Sequence, residues 1–247
     1  MPQSSSASNP ETEFHYIGDE LELFAQAKNW KAYLKARIAP WIGADAEVLE
    51  VGAGLGGTTQ ALCPQSARRW VGLEPDPRLA ERLRSAIAQG ALPSFCEARI
   101  GTLADLEPTE RFDAILYIDV LEHIEHDRDE VRAAADRLKP GGRLIVLAPA
   151  HQWLFTPFDQ AIGHYRRYSK SSLKRLTVDP LRLVQLRYLD SAGLLASSAN
   201  RLLLRQSMPT SRQIAVWDGV LVRASRILDP LTAGMLGKSV LAVWRRQ

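Results

Sequence analysis

The spacing of apolar residues changes period repeatedly along the chain. Short apolar runs at 47–51, 69–74, 95–100, 114–118 and 143–147 read as buried strands, and the stretches between them carry apolar residues at helical spacing. In 78–89, for example, Leu79, Leu83 and Ile87 fall on one helix face. Asp76 is placed to cap that helix with Pro77 as its first residue, and Gly90 follows its end. A second helix is predicted over 127–138, stopped by Lys139-Pro140-Gly141-Gly142. Alternating strands and helices imply an α/β protein with parallel strands joined by right-handed crossovers. Two later runs, 181–189 and 239–245, bring the strand count to seven.

The flanks depart from this alternation. Residues 1–13 are polar and read as a disordered tail. Over 14–42, Leu21, Phe24, Trp30, Tyr33, Leu34 and Ile38 recur at helical spacing, predicting two short helices broken near Asn29. Either Trp30 and Tyr33 pack in the core, or Tyr16, Trp30 and Tyr33 border a ligand. Between the last two strands, apolar groups such as Leu194-Leu195, Val216-Trp217 and Ile227-Leu228 are interrupted by Pro209 and Pro230. They predict two or three short helices forming a cap. Arg201, Arg205, Arg212, Arg223 and Arg226 accompany them, either as solvated surface or as a weak peripheral membrane contact. The expectation is therefore one domain over 14–247: N-terminal helices at 14–42, a core at 45–150, and loop and cap segments at 151–180 and 191–238.

Composition narrows the function classes. The 247 residues are 46% hydrophobic and 24% charged, with a formal net charge of +3. That balance suits a folded domain and gives no basic stripe for nucleic acid. Cys63 and Cys96 lack metal or redox spacing and are expected to be reduced thiols. No apolar run reaches the roughly 20 residues that span a bilayer, and the first residues lack a signal-peptide pattern, so a cytoplasmic location is expected.

The candidate chemistry begins at Glu47–Gly57, EVLEVGAGLGG, where a strand feeds a glycine-rich turn. Such a turn lets backbone approach a ligand closely. Gly52, Gly54 and Gly57 fit the dinucleotide fingerprint, with Glu74 at the distance of a ribose-binding acid. Glu50, Gly52, Gly54 and Gly56 also fit an E-x-G-x-G-x-G form, which gives Glu50 a place.

With Glu74-Pro75-Asp76 ending the second strand, FDAILYIDVLE at 112–122 and LKPGGRLIVLAP at 138–149, the chain resembles the class I S-adenosylmethionine (AdoMet)-dependent methyltransferases over residues 45–150. The resemblance implies a Rossmann-like seven-stranded mixed sheet of order 3-2-1-4-5-7-6, its last strand antiparallel, with helices on both faces. It implies AdoMet as cofactor and S-adenosyl-L-homocysteine (AdoHcy) as product. Carried onto this chain, it puts Gly52, Gly54 and Gly56 along the cofactor, Glu74 on the ribose with Pro75 beside it, and Glu50 on the turn or the methionine ammonium. It also puts Thr102 and Leu103 near adenine, and Asp119 by the methionine arm.

Methyl transfer from a sulfonium is an in-line displacement in which the acceptor usually loses a proton, so a base is sought. His123, His151 and His164 are the candidates because imidazole titrates near neutrality. His123 and His126, beside acids, are read as local hydrogen bonding, and no metal is expected. The loop 149–168, PAHQWLFTPFDQAIGHYRRY, concentrates aromatic and polar groups after the fifth strand, as a ligand wall does. Trp153, Phe158, Tyr165, Arg166 and Tyr168 are its candidate acceptor contacts; an alternative is an Asp159–Arg or Asp159–His network that pins the loop. The reading is methyl transfer to an oxygen or nitrogen of a small molecule of secondary-metabolite or glycan type, by a monomer or homodimer. A nicotinamide oxidoreductase and a catalytically silent AdoMet-binding protein are the competing readings.

Overall fold

In a computed structural model of the chain, described over residues 26–199 and 210–247, the seven strands form one sheet. They are β1 (Glu47–Val51), β2 (Arg69–Glu74), β3 (Cys96–Ile100), β4 (Phe112–Ile118), β5 (Leu138–Pro149), β6 (Leu181–Leu189) and β7 (Ser239–Arg246). Their order is β3-β2-β1-β4-β5-β7-β6, with β7 antiparallel to both neighbours, as the family resemblance implies. The carboxyl ends of β1 to β6 and the amino end of β7 therefore share one edge, where open α/β sheets bind ligands.

Both sheet faces are apolar because alternate strand residues point to opposite sides. Leu49, Val71, Ile115, Val146 and Trp244 face α4 (Asp127–Asp136) through its buried Val131, Ala134 and Ala135. Val48, Trp70, Leu116, Ile145 and Val243 face the opposite layer. There α1 (Lys28–Ile38) contributes Trp30, Tyr33, Leu34 and Ile38, and the segment between β6 and β7 contributes Ile214, Trp217 and Val222.

Helix α3 (Pro77–Ala88) starts as predicted, the Asp76 carboxylate accepting from the amides of Arg78 and Leu79. The helix predicted over 127–138 ends at Asp136 instead, and Lys139-Pro140-Gly141-Gly142 lies inside β5. β4 pairs with Leu138, then resumes at Arg143, so these four residues bulge out of the ladder. A Cβ on Gly142 would sit 2.9 Å from the Lys139 carbonyl, which explains a glycine in the bulge.

The described part of the segment between β6 and β7 carries α5 (Ser191–Ala199), α6 (Ser211–Val216), a π turn at Trp217–Leu221, and α7 (Val222–Leu231). It is tied to α1 by buried carboxylates. Asp218 accepts from the backbone amides of Asn29 and Trp30 at 3.1 and 2.8 Å, capping a helix whose own N-cap, Ala27, has no acceptor. Asp229 accepts from the Tyr33 hydroxyl at 2.5 Å and from the amides of Asp190 and Ser191. The helix expected before Asn29 and the arginines Arg201 and Arg205 lie outside the described residues, as does the predicted tail.

Candidate active site

At the end of β1 the chain turns through Gly52 and Gly56, at φ 70° and 77°. A Cβ on Gly52 would lie 2.5 Å from a Val120 methyl, and one on Gly56 would lie 2.6 Å from Leu83, so only glycine fits both backbone and space. Glu74, ending β2, is 5% exposed; its two oxygens accept from the amides of Gly54 (2.8 Å) and Asp76 (3.0 Å). Burial raises its pKa, opposed by those two amides. The strand-end acid thus holds the glycine turn while standing beside it, next to half-buried Pro75.

Glu50 faces the other way, into the core. Its carboxylate accepts from Thr59 Oγ1 at 2.6 Å and Trp70 Nε1 at 2.8 Å, which anchors α2 (Gly57–Leu62) behind the turn. Burial pushes its pKa up to about 7. Of the two roles expected for Glu50, the geometry matches the one on the turn. Past β3, the amide and hydroxyl of Thr102 both donate to Asp105, and the Leu103 side chain is buried, so the Thr102 amide is engaged within its own loop.

The acceptor half lies past β4 and β5. Asp119 follows β4 at φ 54°, a backbone region unfavourable for a side-chain-bearing residue, as do His151 (67°) after β5 and Asp190 (65°) after β6. Backbone strain on one ligand-binding edge is the pattern of a functional site. Asp119 carries exposed surface, yet desolvation raises its carboxyl to about 6, with His164, Lys238 and Arg167 pulling it back. Its exposed carboxylate, with those three charged groups near it, lies on the floor of the sheet's ligand-binding edge. Tyr117 points away, its hydroxyl donating to Glu130 at 2.6 Å.

Around that floor the structure brings together Glu122, His123 and His164. The two imidazoles meet edge to face at 4.5 Å, and His164 Nε2 lies 3.9 Å from Glu122 Oε1. His164 Nδ1 is 3.0 Å from Asp159 Oδ1, while Arg167 donates to both Asp159 oxygens at 2.8 and 3.0 Å. Burial opposes ionisation of Asp159, but the His164 and Arg167 hydrogen bonds hold it well below the usual carboxylate range. Burial, then the neighbouring His164, lowers His123 to about 4.

The remaining predicted residues separate by role. His151 Nε2 bonds the Gly237 carbonyl (2.9 Å) and its ring packs on Tyr188, which ties it to the start of β7. Tyr168 is 1% exposed, its hydroxyl donating to Asp127 (2.8 Å), and Arg166 pairs with Asp127 (2.8 Å) and with the carbonyls of Ile124 and Glu125. These two residues pin the loop to the main body. Trp153 and Tyr165 are exposed and Phe158 is half-buried.

Sequence reasoning missed Lys238, whose ammonium lies 3.8 Å over the Trp217 ring and 3.7 Å from Asp190 Oδ2; burial lowers its pKa. Asp190 also accepts from Trp217 Nε1 at 2.7 Å. The available signal was position: Asp190 directly follows β6 and Lys238 directly precedes β7, on the ligand edge.

Fold and site together define a Rossmann-like enzyme class, with a glycine-turn crevice and an acid–imidazole cleft beside it. Residues 23–179 match the family described as "Methyltransferase domain", well over half of the chain. The chain belongs to that family, in keeping with the resemblance of its motifs to the class I AdoMet-dependent methyltransferases. Among curated relatives, a demethylmenaquinone methyltransferase of Tropheryma whipplei is 32% identical over 155 residues, 62% of this chain and 59% of that protein. A ubiquinone biosynthesis O-methyltransferase of Xanthomonas axonopodis pv. citri is 32% identical over 117 residues, 46% of each chain. The match thus spans about half the length of these relatives. The fold is shared with N-methyltransferase NodS from Bradyrhizobium japonicum, solved with AdoHcy (TM-score 0.56, 17% identity, 90% of this chain and 88% of that one). It is likewise shared with the YcgJ protein of Bacillus subtilis (TM-score 0.58, 17% identity, 88% and 98%).

Proposed function

We propose that this protein transfers the methyl group of AdoMet to a hydroxyl oxygen of a small, ring-bearing molecule. The observation that supports the reading is that the glycine turn with Glu74 and the group of Asp119, His123 and His164 follow the ends of neighbouring strands on one sheet edge. The donor set suits a cofactor with a ribose and cationic groups: carboxylates end β2 and follow β4, on either side of the turn. Gly52, Gly54, Gly56, Glu74 and Pro75 would hold it, with Leu103 under the adenine end and Asp119 toward the methionine end.

When bound, AdoMet supplies an electrophilic methyl on sulfur. The chain's own part is to place the acceptor oxygen in line with that sulfur and to take its proton. His123 and His164 flank the place of the acceptor hydroxyl, and Asp119 beside them receives its proton; Trp153, Phe158 and Tyr165 border the acceptor's body. Positioning of this kind supplies several kcal/mol of barrier reduction, and a placed base about 10²- to 10⁴-fold. His151, bonded to Gly237, serves the wall of the cleft. The relatives named as ubiquinone biosynthesis O-methyltransferases support oxygen as the acceptor atom, and the relative named for demethylmenaquinone supports a ring-bearing acceptor without naming the atom.

The test is incubation of the protein and AdoMet with panels of catechols, hydroxyquinols, sugars and amines, followed by mass spectrometry of AdoHcy and the methylated product. Equimolar AdoHcy and O-methyl product from a ring hydroxyl is expected. Turnover of amines alone, or AdoHcy binding with no product from any panel, overturns the reading.

A further inference from the structure

Glu122 has no solvent-exposed surface, and among the described residues neither of its carboxylate oxygens has a hydrogen-bond partner. A buried carboxylate in that condition is strongly destabilising unless a cation or a donor meets it. The adjacent group is His164 Nε2, 3.9 Å away, beyond hydrogen-bond reach. A ring nitrogen of His123 completes a group of three ligand atoms, from Glu122, His123 and His164, all within 4.8 Å of one another.

The surroundings prepare both imidazoles to act as ligands. His164 Nδ1 is bonded to Asp159, itself clamped by Arg167 and by Thr156 (2.8 Å), so Nε2 is the nitrogen turned toward Glu122. His123 is bonded to the backbone of Gly163 and Ile162. A carboxylate or carbonyl on one nitrogen, fixing the tautomer and aiming the other, is the usual second-sphere arrangement of metal-bound histidine. Two donors about 2.0–2.1 Å from one tetrahedral ion lie about 3.4 Å apart, so the His164–Glu122 pair, at 3.9 Å, closes by about half an ångström, and the widest pair, within 4.8 Å, by up to about 1.4 Å.

We propose that Glu122, His123 and His164 bind a divalent transition-metal ion, Zn²⁺ or its close analogues, with an open coordination position toward Asp119 and the acceptor. Two imidazoles and one carboxylate select such ions over Mg²⁺ or Ca²⁺, and three protein ligands with a vacant position are the form of catalytic zinc sites. The catalytic part of the proposal rests on the methyltransferase reading. The ion polarises the acceptor hydroxyl, whose proton passes to Asp119; the oxygen–methyl bond forms as the sulfur–methyl bond breaks, and AdoHcy leaves without net redox change. The sequence pairs His123 with His126, which is exposed and outside the group; His164 enters only through the fold.

The full chain, untagged and stripped with a chelator, is titrated with Zn²⁺ by calorimetry and with Co²⁺ by its visible absorption, and separately with AdoHcy. Saturable binding of one ion per chain is expected. Glu122→Gln and His164→Asn should weaken it by at least about 100-fold, Asp159→Asn by about 10- to 100-fold, and His126→Ala not at all. Circular dichroism and AdoHcy affinity report whether each variant folds. Absence of one-to-one binding by wild-type protein, or equal affinity in folded Glu122→Gln, overturns the metal site. AdoHcy binding without Zn²⁺ binding removes the metal alone, whereas Zn²⁺ binding without AdoHcy binding removes the methyltransferase reading and leaves the metal site standing.

Discussion

Replacing Glu50 by glutamine should change how stability depends on pH, because its carboxyl is buried at 1% exposure and its pKa stands near 7 rather than 4.5. Burial is the main cause; Thr59 and Trp70 offset only part of it, and Glu74 adds repulsion. The sign follows from proton binding. Between the unfolded value of 4.5 and the folded value of about 7, the folded chain holds the proton more tightly. The group's favourable contribution is therefore complete below 4.5 and is lost as pH rises through 7. At about 1.4 kcal/mol per unit the loss is about 3 kcal/mol, a large fraction of the stability of an ordinary domain. Urea unfolding of wild type and Glu50→Gln, followed by tryptophan fluorescence without cofactor, should give stabilities that diverge by about that amount between pH 4.5 and 8. Glutamine gains relative to glutamate as pH rises, and titrating groups that do not interact with Glu50 cancel in the difference. Parallel curves would show that the carboxylate is ionised in the folded protein at little cost, and the reasoning from burial would fail.

Other substitutions test separate parts of the site. Glu74→Ala removes a charged acceptor worth about 1.5–3 kcal/mol per bond, so AdoHcy affinity should fall about 10- to 100-fold by calorimetry; unchanged affinity would take the ribose off Glu74. Gly52→Ala, at φ 70° with Val120 2.5 Å from the new Cβ, should cost about 1–3 kcal/mol and lower the melting temperature by several degrees. Because His151 is bonded to Gly237 while His164 lies in the cleft, His151→Ala should lower kcat less than about 10-fold and His164→Ala more than about 100-fold. The reverse order would exchange their roles. Asp218→Ala should destabilise the fold by about 1–2 kcal/mol through loss of the cap on α1, read as a shifted urea midpoint at constant slope.

The parts of this molecule legible in its sequence are those set by neighbours in the chain. Strand β1 and its glycine turn are local patterns, as is the Asp76 cap, and the sheet order follows the family resemblance. The start of β5 was not legible: Lys139-Pro140-Gly141-Gly142 has the chemistry of a helix stop, and only pairing with β4 turns it into a bulge. In the site, Glu74 and the glycines could be placed from strand ends. His164 could not be joined to Glu122, because the two meet through a loop that crosses from β5 back over the end of β4. Tyr168 and Arg166 look like ligand contacts in an aromatic, basic stretch, and Asp127 claims both. Lys238 and Asp190 receive no site role from the sequence, because the importance of each comes from the sheet edge where its strand happens to begin or end.

The bond from Asp218 to the first turn of α1 joins residues 188 positions apart. During synthesis α1 emerges with bare amides, and the residue that satisfies them follows 188 positions later. Until then Trp30 has no Trp217 to lie against, and the layer it belongs to stays open. A ribosome-stalled chain ending before Asp218 should accordingly expose α1 to protease while the central strands are already protected, so that an early helix is completed only by a late one.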